Sequence, residues 1–306
     1  MAHLNNIQII RLLASILRIG LPGRPSRIVL FVGAGAPRVA GLPLADELKI
    51  KVAKSVFGSD IPPDIVAGRL EDVMELFQTH AGKDGYALVA QEILSHQQIP
   101  QSYDLLADFI RDHKVDSILT TNFDVLFERV AEKHNLPLIP VASDQEFLST
   151  EIPHGSVVIG HLHGSALHPE TMRGSWTDVR GMLPAQKRDV LFNVIRNYPM
   201  VFVGYAARDP DIIAVLGEVA PEIPERRIFW VNRSASPSEE IKEVLRNFKS
   251  EGNYLAMDAE TFFKMLHDEV YPFSPGKDIG SDQVRRAAMQ LQGLPTSLDS
   301  HVSLLS

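Results

Sequence analysis

The stretch Arg27-Ile28-Val29-Leu30-Phe31-Val32-Gly33-Ala34-Gly35-Ala36 decides the fold. Its first half is a short, unbroken apolar run rich in β-formers, with turn residues on both sides. That pattern reads as a strand buried on both faces, the kind found in parallel sheets. The run ends in a Gly-x-Gly turn, and Gly41-Leu42-Pro43 leads into a helical pattern. Glycines let backbone approach a pyrophosphate closely, and the amides of a helix N-terminus attract the anion. The usual third glycine spacing is absent, and a purely structural turn would use the same residues.

Moving outward, the same strand form recurs at Ser117–Thr120, Val157–Gly160, Met200–Val203 and Ile228–Val231. Helical patterns lie between most of these runs, at Asp124–His134, Pro184–Asn197, Asp209–Val219 and Ser238–Phe248. A further amphipathic helix is expected over residues 5–19, before the first strand. Strands alternating with helices predict an α/β fold: a Rossmann-like parallel sheet with helices on both faces. Residues 44–113 are more than one crossover helix needs and are expected to form an inserted helical module. Residues 167–183 have Pro, Gly and Trp without a clear period and read as a loop near the site. The expected organisation is one domain over 1–272 and a C-terminal tail over 273–306. That tail has one possible helix at Ser281–Gln292 and a polar end suited to contacting another chain.

Composition narrows the function. Of 306 residues, 45% are hydrophobic and 22% charged, and the net charge is -8. An acidic chain does not favour phosphate-driven nucleic-acid binding. There are no cysteines, which excludes disulfides, a thiol nucleophile and cysteine-ligated zinc or iron–sulfur sites. The first apolar stretch is broken by Arg11 and Arg18, so no signal peptide is expected. No run approaches the length of a membrane span. A cytoplasmic protein without membrane contact is the expectation.

Polar or glycine-rich clusters follow each strand. Thr120-Thr121-Asn122-Phe123-Asp124 follows the second apolar run, and Asn122 or Asp124 could also simply start the next helix. His161-Leu162-His163-Gly164 follows the third; a histidine there could be a general base, or structural. No third ligand cluster supports reading the two histidines as a metal site. Gly204-Tyr205 through Asp209-Pro210-Asp211 follows the fourth run. Asn232, at the end of the last run, could meet an adenine or ribose or cap a loop. One such cluster means little. Five at the carboxyl ends of successive strands mark one edge of the sheet as a ligand site.

The ordered set resembles the sirtuin superfamily, and within it the bacterial SIR2-like domains, over roughly Ile28 to Arg233. Gly33-Ala34-Gly35 with Gly41-Leu42-Pro43 resembles the family's Gly-Ala-Gly and Gly-Ile-Pro segment. Thr120–Asp124 resembles its Thr-Gln-Asn-Ile-Asp element, His163-Gly164 its His-Gly, and Gly204–Asp211 the form typical of the SIR2-like branch. The resemblance implies NAD as substrate, no metal, and cleavage of the nicotinamide–ribose bond. Asn122, His163 and Asp124 would be catalytic. Gly33, Ala34, Gly35, Thr120, Gly204, Tyr205, Asp209 and Asn232 would contact the dinucleotide. The family's four zinc-binding cysteines and its peptide clamp are missing, so the implied acceptor is water and the implied activity an NAD+ glycohydrolase. The resemblance further implies an effector of bacterial anti-phage defence, active as a homo-oligomer or with a separate phage-sensing partner such as an ATPase/helicase or an Argonaute-like protein. A protein deacylase or ADP-ribosyltransferase, and a non-catalytic subunit that binds NAD or ADP-ribose, are the alternatives.

Overall fold

A computed structural model of the chain describes residues 4–20, 26–37, 41–43, 45–95, 98–223 and 227–272. The possible helix at Ser281–Gln292 lies outside them. Seven strands form one parallel sheet: β1 (Ile28–Val32), β2 (Val115–Thr120), β3 (Leu138–Val141), β4 (Val157–His161), β5 (Met200–Val203), β6 (Ile228–Asn232) and β7 (Tyr254–Ala256). Their order across the sheet is β3-β4-β2-β1-β5-β6-β7, and every pairing is parallel.

All five residues of β1 and all four of β5 are buried, as unbroken apolar runs require of strands covered on both faces. β3 and β7, the edge strands, are the two that apolar runs did not predict. β3 contains Pro140 and buries only Val141, and β7 has three residues. Edge strands are short and tolerate proline because one side needs no ladder partner, so they lose the apolar signature of central strands.

The helices follow their local signals. α1 (Asn6–Ile19) starts with a capping box between Asn5 and Gln8 and ends at Gly20, whose φ is 82°. Residues 45–111 hold α2 (Ala45–Phe57), α3 (Pro63–Ala67), α4 (Leu70–Ala81), α5 (Tyr86–Ser95) and α6 (Gln101–Arg111). Beyond β2 come α7 (Leu126–His134), α8 (Asp144–Ser149), α9 (Trp176–Val179), α10 (Ala185–Asn197), α11 (Pro210–Val219), α12 (Glu239–Asn247) and α13 (Ala259–Val270). The stretch 167–183, read as a plain loop, contains a short 3-10 turn at Pro169–Thr171 and the one-turn helix α9, which Ser175 caps.

Under the site edge the core is aromatic. Phe202 and Trp230 stack with ring centroids 4.3 Å apart, and Phe31 lies 4.9 Å from Phe202 and 4.7 Å from Tyr205. These rings bury large areas in the strands that carry the site loops, so loop position is set by core packing.

The chain runs outward from β1 to one side through β2, then returns to build β5, β6 and β7 on the other. The order therefore reverses at β1, and the carboxyl ends of β1 and β5 flank the switch point where open α/β sheets bind ligands. No helix among the described residues is long and apolar enough to cross a membrane.

Candidate functional site

Five strands end level with one another. Val32 pairs with Thr120 and with Val203, Thr120 pairs with His161, and Val203 pairs with Val231. The next residues along each strand or turn, at Gly33, Thr121, Leu162, Gly204 and Asn232, therefore form one row. Four strand spacings separate β4 from β6, or about 19 Å.

The Gly33-Ala34-Gly35 turn has a structural cause. A Cβ on Gly33 would lie 2.6 Å from Tyr205 Cα, and one on Gly35 would lie 2.8 Å from the Gly204 carbonyl oxygen. Gly204 in turn has φ 64°, and its Cβ would meet the Ala36 nitrogen. The β1 and β5 turns are pressed backbone to backbone, and all three glycines are needed for that contact. The amides of Gly33, Gly35 and Ala36 donate to Val203, Gly204 and Gly33 carbonyls. The turn therefore does not offer the open ring of amides that a phosphate cradle provides. Ala34 is exposed at its tip.

Thr120 also works inward. Its buried hydroxyl donates to the Val32 carbonyl at 2.8 Å and accepts from the Asn122 amide at 3.0 Å. It shapes the loop that presents Asn122. Asp124 accepts from the Leu126 amide at 3.2 Å, so it does help to start α7, which begins two residues later than its sequence pattern suggests. Burial pushes the Asp124 carboxyl up to about 6, opposed by the Leu126 amide, the charge of His161 and the Asn122 side chain.

The two histidines two residues apart do different things. His161 is fully buried; its Nε2 sits 2.7 Å from Glu128 Oε1 on α7 and its Nδ1 3.2 Å from the Asn122 carbonyl oxygen. It braces the loop from below. Burial alone would lower its pKa, but the hydrogen bond and charge of Glu128 leave it raised above the usual histidine value. A raised folded value contributes stability that is fully present below about pH 6.5 and lost as pH rises through that value. The melting temperature of the wild type should therefore fall as pH increases above about 6.5. Glu128→Gln should lower stability by about 3 kcal/mol near neutral pH and flatten that dependence. Parallel melts over this range check both expectations.

His163 is nearly fully buried, and its Nε2 lies 3.1 Å from Asp211 Oδ2. Asp211, itself buried, also accepts from the Ile212 amide at 2.9 Å. A carboxylate only accepts, so Nε2 donates, and Nδ1 of the neutral ring is left as an acceptor. Sequence reading placed Asp211 in the β5 motif without giving it a role. Its signal was an acidic residue in the first turn of α11, one turn position past the Asp209-Pro210 start. Asp209 lies near this pair, and burial raises its pKa.

Tyr205 belongs mostly to the core: its ring packs on Phe31 and Trp230, and its carbonyl accepts from Trp230 Nε1 at 2.9 Å and Asn232 Nδ2 at 3.3 Å. Its hydroxyl is buried beside the Asp209 carboxylate. Asn232 borders a cleft of about 600 Å³ beyond β5 and β6, lined also by Arg69, Ala206, Arg208, Ser234 and Tyr254. A volume of that order suits a small organic ligand. Arg69 comes from the N-terminal end of α4 and lies 5.6 Å from the Trp176 ring, and Trp176 Nε1 donates to Asp72 at 2.6 Å. Arg173, in the same connecting segment, donates its amide to the His163 carbonyl at 2.7 Å. The segment thus touches both the helices before β2 and the histidine turn.

Residues 116–253 match the sequence model of the SIR2-like domain. No curated protein sequence matches the chain. Among solved structures, a Sir2 homologue in complex with NAD is 16% identical with a TM-score of 0.53, over 86% of this chain and 94% of that one. A mutant Sir2 homologue in complex with ADP-ribose is 17% identical with a TM-score of 0.51, over 86% and 96%. At these identities the likeness is one of fold. Residues 116–253 are thus similar to the SIR2-like domain, and the parallel sheet with its reversal at β1 is similar in fold to these Sir2 homologues.

Proposed function

We propose that this protein is an NAD+ glycohydrolase. The carrying observation is the single row formed by the ends of β4, β2, β1, β5 and β6, with the His163–Asp211 pair joining the turn after β4 to α11 after β5, and the Asn232 cleft beyond β5 and β6. A dinucleotide laid along that row would place its adenosine in the cleft and its nicotinamide ribose near Asn122 and His163. The bare backbone of the Gly33–Gly35 turn and Gly204 would border the pyrophosphate by close approach. Arg69 and Arg208, whose side chains border the cleft, suit the anion.

The bond from ribose C1′ to the nicotinamide nitrogen breaks, and its electron pair neutralises the pyridinium nitrogen. Positive charge develops on the ribose. Asn122 orients water toward C1′, the new C–O bond forms, and the water proton passes through His163 Nδ1 to solvent. The products are nicotinamide, ADP-ribose and a proton. Asp211 fixes the tautomer and the ring, which is the role of a positioning carboxylate. An ionised Asp124 supports the cationic ribose. Turnover should therefore rise through pH about 6 as Asp124 ionises, and Asp124→Asn should remove that acid limb; pH–rate profiles of the two proteins check this.

Water is favoured as acceptor because a chain without cysteine has no cysteine-held zinc lobe. The resemblance to SIR2-like anti-phage effectors supports a role in depleting NAD once assembly or a partner activates the protein. The test follows nicotinamide release by purified protein, alone and with the product of the neighbouring gene. Release that requires an acylated or acceptor protein would replace this reading with protein modification. Tight ADP-ribose binding without release under any condition would replace it with a binding subunit.

A further inference from the structure

The His161-Leu162-His163 turn is gripped by its middle residue as well as by its two rings. The Leu162 amide donates to the Thr120 carbonyl at 2.9 Å. The Leu162 carbonyl accepts from Lys187 Nζ at 3.1 Å. Lys187 projects from α10, is 1% exposed, and has one carboxylate within reach, the half-exposed Asp144 of α8 at 3.5 Å. Its ammonium also lies 5.4 Å from the Phe147 ring.

A buried ammonium costs stability, and an apolar side chain of similar volume usually serves a core better. Leu191 and Ile195, farther along α10, are fully buried and apolar. Core packing therefore does not explain a lysine at 187. What the lysine does that leucine could not is hold one carbonyl oxygen, and that carbonyl lies between His161 and His163.

We propose that Lys187 is a positioning residue whose ammonium holds the Leu162 carbonyl and so fixes where His163 stands. The proposal rests on the NAD-cleaving reading for its effect on turnover, and on geometry alone for its effect on the turn. Burial lowers the Lys187 pKa to about 8; Asp144 and Glu146 on α8 oppose that, and Arg173 on the segment after β4 adds to it. On the other neighbouring helix, Glu218 of α11 is held by Arg188, the next residue of α10. Below pH about 8 the clamp is a charge-assisted hydrogen bond, and above it a weaker neutral one. The turn should loosen as the lysine loses its proton.

The test records the imidazole Cε1–H resonances of His161 and His163 from pH 6.5 to 9.5 in the wild type, Lys187→Met and Lys187→Arg, with nicotinamide release measured on the same samples. The wild type should show a step in the His163 signal centred near pH 8, apart from the titration of His161 itself. Lys187→Met should show no such step, and its turnover at pH 7 should fall roughly 10- to 100-fold with little change in KM, as a displaced catalytic group predicts. Lys187→Arg keeps the charge without the titration, so it should also lack the step while retaining most of the turnover. It serves the comparison if Lys187→Met does not fold. A wild type without the step, or the same step in either variant, overturns the proposal. If the step behaves as expected and no preparation releases nicotinamide, the clamp stands and the NAD-cleaving reading fails.

Discussion

Replacing His163 with alanine is expected to lower nicotinamide release by about 10²–10⁴-fold, the range associated with losing a general base. Affinity for ADP-ribose should change little, because the adenosine half would sit in the cleft beside Asn232, which His163 does not line. Asp211→Asn is expected to give a smaller loss in kcat, since the ring remains but its tautomer is no longer fixed by an acceptor at Nε2. Steady-state kinetics and calorimetry on the three proteins separate these outcomes. Equal release from wild type and His163→Ala would remove His163 from the chemistry. A large loss of ADP-ribose affinity would instead mean that the pocket itself had collapsed.

The largest expected effect on folding comes from Gly204→Ala. The new methyl would meet the Ala36 nitrogen, and the residue would be held at φ 64°. The left-handed conformation costs about 1–2 kcal/mol for an alanine, and forcing the β1 and β5 turns apart costs about 1–3 kcal/mol more. A loss near 3–5 kcal/mol is a large part of the stability of an ordinary domain, and should lower the melting temperature on the order of 10 °C. Gly217→Ala is the matched control: it lies inside α11, where a Cβ meets nothing within 4 Å. That change should be neutral or stabilising by up to about 1 kcal/mol. Thermal melts of both variants decide whether the glycines act through this contact. If Gly204→Ala melts like wild type, the packed-turn explanation of the Gly33–Gly35 sequence is wrong.

Much of this architecture was legible because central parallel strands must be apolar throughout. Ile28–Val32 and Met200–Val203 announce themselves as strands, and Gly33, Asn122, His163, Gly204 and Asn232 stand at or just beyond strand ends, where a ligand edge is expected. What stayed hidden depends on pairing across the sheet. β3 and β7 have one partner each, so nothing demanded a full apolar run of them. The glycines of the β1 turn look like a phosphate cradle in sequence because the residue they accommodate, Gly204, lies some 170 positions away. The two histidines look equivalent until Glu128 and Asp211, each on a helix after a different strand, are seen to hold one ring each. Lys187 gives no sequence signal at all: a lysine in an amphipathic helix reads as a solvated residue.

On the proposed reading, the row of strand ends breaks the nicotinamide–ribose bond with water as acceptor. It is tested most directly by nicotinamide released from NAD by the purified protein, with and without the product of the neighbouring gene, alongside Asn122→Ala and His163→Ala. Release is expected without any acylated or acceptor protein, in one-to-one ratio with free ADP-ribose, and is expected to be lost in both variants. Release at the wild-type rate from either variant, or ADP-ribose found attached to protein instead of free, would contradict it.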